Sequence, residues 1–424
     1  MEEQLEYSIL IESLNLKNFR CFGDLDINFD EKLTVFIAVN GGGKTTILDA
    51  IAEGLKAYLA TLKIKGYEKS SLLKKDIKTG LPVSNIAIET ELSYVFPLDN
   101  VETNEESRDS RTDKETKFKI SISEDDSEFS KNNSSFEQYF AKYFKSYFKD
   151  TNIPVLAYYG GVDVDTDYKT KNKVKNRLEY VYKEALSASR NNFTAFYDWF
   201  EKRYRLYLQA KVDDPTLEMQ DIEPELFKIK NAVEIILNDD INDKTYKDLK
   251  IRYDAYEEPK IVLGKQNEEK KYDYFEISQF SAGEQALFAF VSDLGLRLIH
   301  ATPLKKSSQG IKYVVDDDKV GVINGKGIVL IDEVDLHLHP KWQDKVVDKL
   351  MQIFPDVQFI MTTHSPFAVA QTHFSQKVYN LNNGVATLLT YAGGHSSDYI
   401  LSELMDIDPK NQEVEEYIAL IRQG

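Results

Sequence analysis

The residues most able to do chemistry form a short run, Ala38-Val-Asn-Gly-Gly-Gly-Lys-Thr-Thr46. It fits the phosphate-loop pattern with Ala38 in place of the first glycine. Backbone N–H groups from Gly41, Gly42 and Gly43 to Thr45 can wrap a β-phosphate, and the helix N-terminus adds positive potential there. Lys44 would neutralise β- and γ-oxygens, and the Thr45 hydroxyl would ligate Mg²⁺. Asn40 and Thr46 complete the candidate nucleotide-binding set. The added methyl of Ala38 is tolerable if its φ is negative.

Three further clusters extend this chemistry. Gly327-Ile-Val-Leu-Ile-Asp-Glu333 is an apolar run ending in two acids, as expected of a buried parallel strand. Asp332 would hold the Mg²⁺ shell, and Glu333 would orient or deprotonate an attacking water. Phe280-Ser-Ala-Gly-Glu-Gln285 opens an apolar helix. Alone it reads as an N-cap, with Ser281 capping and Glu284 at the third position. Between two nucleotide motifs it reads as a second anion-receiving helix start through Ser281 and Gly283. His364, in Thr362-Thr-His-Ser-Pro366, follows an expected strand and could reach a γ-phosphate.

These motifs need strands that end, and helices that begin, at one place. Alternating patterns predict strands over 8–17, 25–29 and 33–37, and a helix from Lys44 to about Ala60. Strands follow at 86–96 and 117–123, with polar loops over 98–116 and 124–135. A short buried strand is expected at 153–157 and helices over 172–240. Strand-like segments run from Leu249 to Tyr274, and a helix from Gly283 to about His300. The end of the chain reads as a loop at 301–326, strand 327–331, helix 341–354, strand 357–361, and strands near 377–381 and 385–390. Two aromatic stripes, Phe136 to Phe148 and Phe193 to Tyr204, sit at helical spacing. They read as packing surfaces, with base stacking as the other reading.

The set resembles the ATP-binding-cassette ATPase heads of the SMC/RecF superfamily. Asn18-Phe-Arg20 resembles the arginine-bearing turn before the phosphate loop, and Ser281-Ala-Gly-Glu284 the signature motif. Glu333-Val-Asp335-Leu-His-Leu-His-Pro340 resembles a D-loop variant, and His364 the switch histidine. Pro154-Val-Leu-Ala-Tyr-Tyr159 and the ending around Asp398–Glu416 look most like PtuA-type ATPases of Septu and retron-linked antiphage systems. No Q-loop glutamine is evident, and no arginine follows Gly161.

The resemblance implies an α/β P-loop NTPase fold, an ABC-ATPase-like head with mixed and parallel sheets plus a helical insertion. Lobe I would span residues 1–135, the mainly helical insertion 136–245, and lobe II with C-terminal helices 246–424. ATP and Mg²⁺ would be bound by Arg20, the loop residues, Asp332 and Asp335, with Glu333 and His364 catalytic. In this superfamily the signature serine completes the site of the opposite subunit. That implies a homodimer or higher oligomer in which Ser281 and Gly283 contact γ-phosphate in trans. The effector would be a separate chain, an HNH nuclease by analogy, with DNA or a reverse-transcriptase/RNA complex as further candidate partners. A RecF-like repair ATPase that binds DNA directly is the alternative. The long insertion and the arginine-bearing turn weigh against a transporter motor.

Composition narrows the partners. With 53 Lys+Arg against 70 Asp+Glu the net charge is −17, so DNA is not attracted by the overall field. DNA contact would be confined to a patch such as Lys169, Lys171, Lys173, Lys175 and Arg177, a run that otherwise reads as a solvated face. The single cysteine, Cys21, excludes an internal disulfide framework. Asp335, His337 and His339 could also be read as metal ligands, but no remaining ligand cluster is evident. No apolar run approaches the roughly 20 residues needed to cross a bilayer, and the N-terminus is acidic where a secretory signal is basic. The expectation is a cytoplasmic protein without a membrane partner.

Overall fold

The computed structural model describes residues 8–38, 41–68, 76, 87–96, 114–123, 127–130, 152–160, 177–187, 193–239, 244–254, 258–302, 320–372, 376–389, 395 and 399–400. The first third supplies β1 (Ser8–Lys17), β2 (Asp24–Asn28), β3 (Leu33–Ala38), α1 (Lys44–Thr61), β4 (Ala87–Phe96), β5 (Lys114–Ser123) and β6 (Ser127–Ser130). The middle supplies β7 (Val155–Tyr159), α2 (Arg177–Tyr182), α3 (Phe193–Asp213), α4 (Met219–Ile222), α5 (Pro224–Leu237), β8 (Tyr246–Arg252), β9 (Lys260–Gln266) and β10 (Tyr272–Glu276). Then come α6 (Ala282–Ala301), β11 (Gly327–Ile331), α7 (Pro340–Gln343), α8 (Val346–Ile353), β12 (Val357–Thr363), α9 (Pro366–Ala370), β13 (Lys377–Asn382) and β14 (Val385–Leu389).

The central sheet runs β14-β13-β3-β12-β11-β7, parallel except for the β13–β14 hairpin. Every residue of β3, β7, β11 and β12 is buried, which is why these strands read as unbroken apolar runs rather than alternations. A five-stranded antiparallel sheet, β2-β1-β4-β5-β6, lies across α1 from it. Gln358 of β12 ties the two sheets: its amide donates to the Ile11 and Asp30 carbonyls and accepts the Ile11 N–H.

Helix α1 contacts β4 and β5 on one side and β3, β11 and β12 on the other. A helix between two sheets must be apolar nearly all round, and Ile47, Leu48, Ile51, Leu55, Tyr58 and Leu59 are all buried. Gly54 allows the close crossing, since a Cβ there would lie 2.6 Å from Thr90 Oγ1 of β4. A three-stranded sheet, β10-β9-β8, flanks the start of α6.

Several expectations shift. β6 forms inside the stretch expected to be the loop 124–135, by antiparallel pairing with β5. β5 starts at Lys114, inside the loop expected at 98–116. The helix expected over 341–354 is two helices, because Lys345 adopts φ −131° and breaks the turn. The central sheet draws β3 from the first of the three expected segments, β7 from the second, and β11 to β14 from the third. The stripe from Phe136 and the run Lys169–Lys175 lie outside the described residues. Arg177, expected on a solvated face, instead donates to the His300 carbonyl at 2.6 Å and to the Ala301 carbonyl, at the C-terminal end of α6. In the second aromatic stripe, Phe196 and Phe200 are fully buried, so those rings pack the core and are closed to base stacking. Among the described residues no helix is long and apolar enough to cross a membrane.

Candidate nucleotide-binding and hydrolysis site

The parallel order β3-β12-β11-β7 brings Ala38, Thr363, Ile331 and Tyr159 to one edge of the sheet. In open parallel sheets this C-terminal edge is where ligands bind. The loop after β3 turns through Gly41 and Gly43, at φ 80° and 96°. Gly43 is doubly constrained, because a Cβ there would lie 2.6 Å from the Phe22 ring and 2.7 Å from Cys21 Sγ. Ala38 has no left-handed φ, which removes the obstacle to a methyl at that position. Asn40 lies outside the described residues.

Lys44 opens α1, buried, with its ammonium donating to the Ala38 carbonyl at 3.1 Å and lying 2.7 Å from His364 Nε2. Burial lowers its pKa, opposed by the charges of Glu333, Asp332 and Asp335. Thr45 Oγ1 donates to Asp332 Oδ2 at 2.7 Å. Thr46 is half-buried beside it. A hydroxyl and a carboxylate at this distance form an all-oxygen donor pair of the kind a hard divalent cation takes.

The acids are positioned by neighbouring strand ends. Thr362 Oγ1 donates to Asp332 Oδ1 at 2.5 Å and accepts the Glu333 N–H at 2.7 Å. Glu333 sits at φ 53°, a left-handed conformation uncommon for a residue with a side chain. Asp332 N–H donates to the Tyr159 carbonyl at 2.8 Å. Asp335 accepts the Thr363 hydroxyl and the His364 N–H, the latter at 3.2 Å. Lys44, Thr45, Asp332, Glu333, Asp335 and His364 therefore converge.

Arg20 is held further back. It has φ 50°, and its guanidinium pairs with Asp49 and Asp76 at 2.5 and 3.1 Å. Asp49 stands one turn after Thr45 on α1 and also accepts the Tyr158 hydroxyl at 3.2 Å. Tyr158 is pushed well above its usual pKa by burial and by the Asp49 and Asp332 charges. Asp49, Tyr158, Thr362 and Thr363 were not singled out from sequence. A threonine pair closing an apolar strand was the available signal.

Ser281 and Gly283 are not brought to the phosphate loop. Ser281 is exposed at the start of α6 and its hydrogen bonds run to Glu284. Gly283 packs on the D-loop, where a Cβ would lie 2.6 Å from the His337 carbonyl oxygen. His339 caps α7, its Nδ1 accepting the Lys341 N–H at 3.2 Å. Among the described residues no cluster of three His, Cys, Asp or Glu side chains could hold a metal by itself.

A glycine loop at the end of a buried parallel strand, a lysine and threonine opening the next helix, and acids on adjacent strand ends define a P-loop ATPase. The chain belongs to the family described as "AAA domain, putative AbiEii toxin, Type IV TA system", whose model matches residues 33–370. It is similar to the "Retron Ec83 probable ATPase" of Escherichia coli, 25% identical over 99% of this chain and 80% of that protein. It is also similar to the "Septu protein PtuA" of Bacillus thuringiensis, 24% identical over 85% of this chain and 73% of that protein. A solved structure, "the SmcHead bound to the C-winged helix domain of ScpA", aligns with a TM-score of 0.47, 16% identity, and coverage of 89% of this chain and 97% of that one. The chain is an ATPase, and its resemblance to PtuA-type ATPases, first seen in the motifs, extends along most of its length.

Proposed function

We propose that the chain is the ATP-hydrolysing subunit of an antiphage defence complex. Two copies would join around ATP, each lending its signature to the other's site, and the state of the dimer would control a separate nuclease effector. The defence assignment is supported by the retron and Septu relatives. The shared-site assignment is carried by one observation: Ser281 is exposed at a helix start and, among the described residues, makes no hydrogen bond to its own phosphate loop.

The chemistry would divide as follows. Lys44, buried and flanked by carboxylates, neutralises β- and γ-phosphate oxygens, with the loop N–H groups around them. Thr45 and Asp332 would hold Mg²⁺, which when bound would supply positive charge to the phosphates. Glu333 orients the attacking water and receives its proton at the carboxylate, an assignment helped by the Thr362 hydroxyl that fixes its backbone. His364 reaches the terminal phosphate from the neighbouring strand end. Loss of that phosphate would remove what bridges the two copies, so hydrolysis would loosen them.

The test is Glu333→Gln. It keeps size and hydrogen bonding but removes the base. Turnover falls by about 10²-fold or more, while fluorescent ATP binding persists. Undiminished turnover in this variant would sink the assignment.

A further inference from the structure

Ser281 has one hydroxyl proton, and it is already committed. Its Oγ donates to Glu284 Oε2 at 2.6 Å, its N–H donates to the same oxygen at 2.7 Å, and the Glu284 N–H lies 3.4 Å from Oγ. The other carboxylate oxygen, Oε1, accepts Lys265 Nζ at 2.9 Å and the Tyr246 hydroxyl. An ordinary capping box needs only the reciprocal Ser–Glu bonds. Here the carboxylate is buried, 5% exposed, and takes donors from two strands of the three-stranded sheet as well. Tyr246 is itself fixed, since its backbone N–H and carbonyl both bond the Asn238 side chain at 2.8 Å.

A phosphate oxygen accepts hydrogen bonds and a serine offers a single O–H. An incoming phosphate must therefore take the Ser281 proton away from Glu284. Burial by itself would raise the Glu284 carboxyl, but the bonds from Ser281, Tyr246 and Lys265 outweigh it and hold it below its usual range. The competitor is thus an ionised acceptor, and charged acceptors hold a proton donor about twice as strongly as neutral ones. Lys265 and Tyr246 weaken the competition by occupying the carboxylate from the other side.

We propose that Glu284, set by Lys265 and Tyr246, is a positioning residue that governs whether Ser281 can donate to a phosphate, and so sets the ATP concentration at which two copies join. This rests on the reading that Ser281 serves the partner's ATP. It differs from a simple cap in predicting opposite signs. Glu284→Gln leaves a weaker, neutral acceptor, so half-maximal association needs about fivefold less ATP. Lys265→Met concentrates the carboxylate charge on Ser281, so association needs about fivefold more ATP, and Lys265→Arg restores the wild-type value.

The experiment is light scattering of the full chain titrated with ATP and Mg²⁺, in the Glu333→Gln background to stop turnover, with fluorescent ATP binding measured alongside. Opposite shifts with unchanged ATP binding at the chain's own loop support the proposal, and both shifts should vanish in a Ser281→Ala background. Shifts of the same sign, or opposite shifts that persist without the Ser281 hydroxyl, overturn it. Lys265 is partly exposed, so its two variants report even if Glu284→Gln folds poorly. Failure of the Glu333→Gln chain itself to associate with ATP would overturn the shared-site reading along with this one.

Discussion

At the scale of single residues, the site depends on side chains that touch no phosphate. Thr362 is the clearest. Its hydroxyl spends its proton on Asp332 and its lone pair on the Glu333 N–H. Thr362→Val keeps the shape but leaves the part-buried Glu333 N–H unpaired, at a cost of about 1 kcal/mol. The Asp332–Glu333 turn should then lose its fixed geometry. The expected outcome is a fall in kcat of about tenfold or more, with KM for ATP changed less, and recovery in Thr362→Ser. Steady-state kinetics on the three chains would decide it. That Lys44, Asp332, Glu333 and His364 would converge was legible in the sequence because each belongs to a run of fixed spacing. Thr362 and Asp49 were not, because their roles exist only once β12 lies between β3 and β11 and α1 turns one face toward Tyr158.

At the scale of elements, α1 carries Lys44 and Thr45, α6 carries the proposed contribution of Ser281, and each helix has a testable support. Gly54 lets α1 cross β4. Gly54→Val would drive side-chain carbon into Thr90, an overpacking cost of about 1–3 kcal/mol. That exceeds the few tenths of a kcal/mol gained in helix propensity. Urea denaturation should show the loss, and Thr90→Ala in the same chain should recover part of it. At the far end of α6, His300 stacks on Tyr180 with ring centroids 4.0 Å apart. Its pKa is pushed down to about 4 by burial, then by the charges of Arg203 and Arg177. The folded value lies below the unfolded one, so the imidazole is folded neutral. Its contribution is complete above about pH 6.5 and is lost as pH falls toward 4. Between pH 8 and pH 5 the wild-type chain should lose about 2 kcal/mol more stability than His300→Phe. Equal losses in the two chains would refute this. The strands of the central sheet were readable because burial on both faces demands an apolar run. β6 was not, since an edge strand pairs through its backbone and needs no such pattern. Arg177 looked like part of a solvated run because the carbonyls it caps belong to a helix more than a hundred residues away.

At the scale of the whole molecule, the proposed function divides the labour between two copies. The chain carries an excess of 17 negative charges, yet gathers Lys44 and the loop N–H groups at one edge to receive a polyanion. Local geometry outweighs the global field there. The same field argues that, in the proposed complex, the nuclease effector rather than this chain would provide most of the contact with nucleic acid. Ser281 and Gly283, the proposed complementary half of the site, are engaged by Glu284 and by the His337 backbone rather than by the loop they would complete. The direct measurement is complementation. Chains bearing Lys44→Ala and chains bearing Ser281→Arg are each inactive if both halves are needed. Mixed in equal amounts, half of the dimers formed are heterodimers, and each of these holds one intact site of two. The mixture should recover about a quarter of wild-type ATPase activity. No recovery on mixing, or a Ser281→Arg chain that hydrolyses ATP at the wild-type rate alone, would contradict the shared-site ATPase.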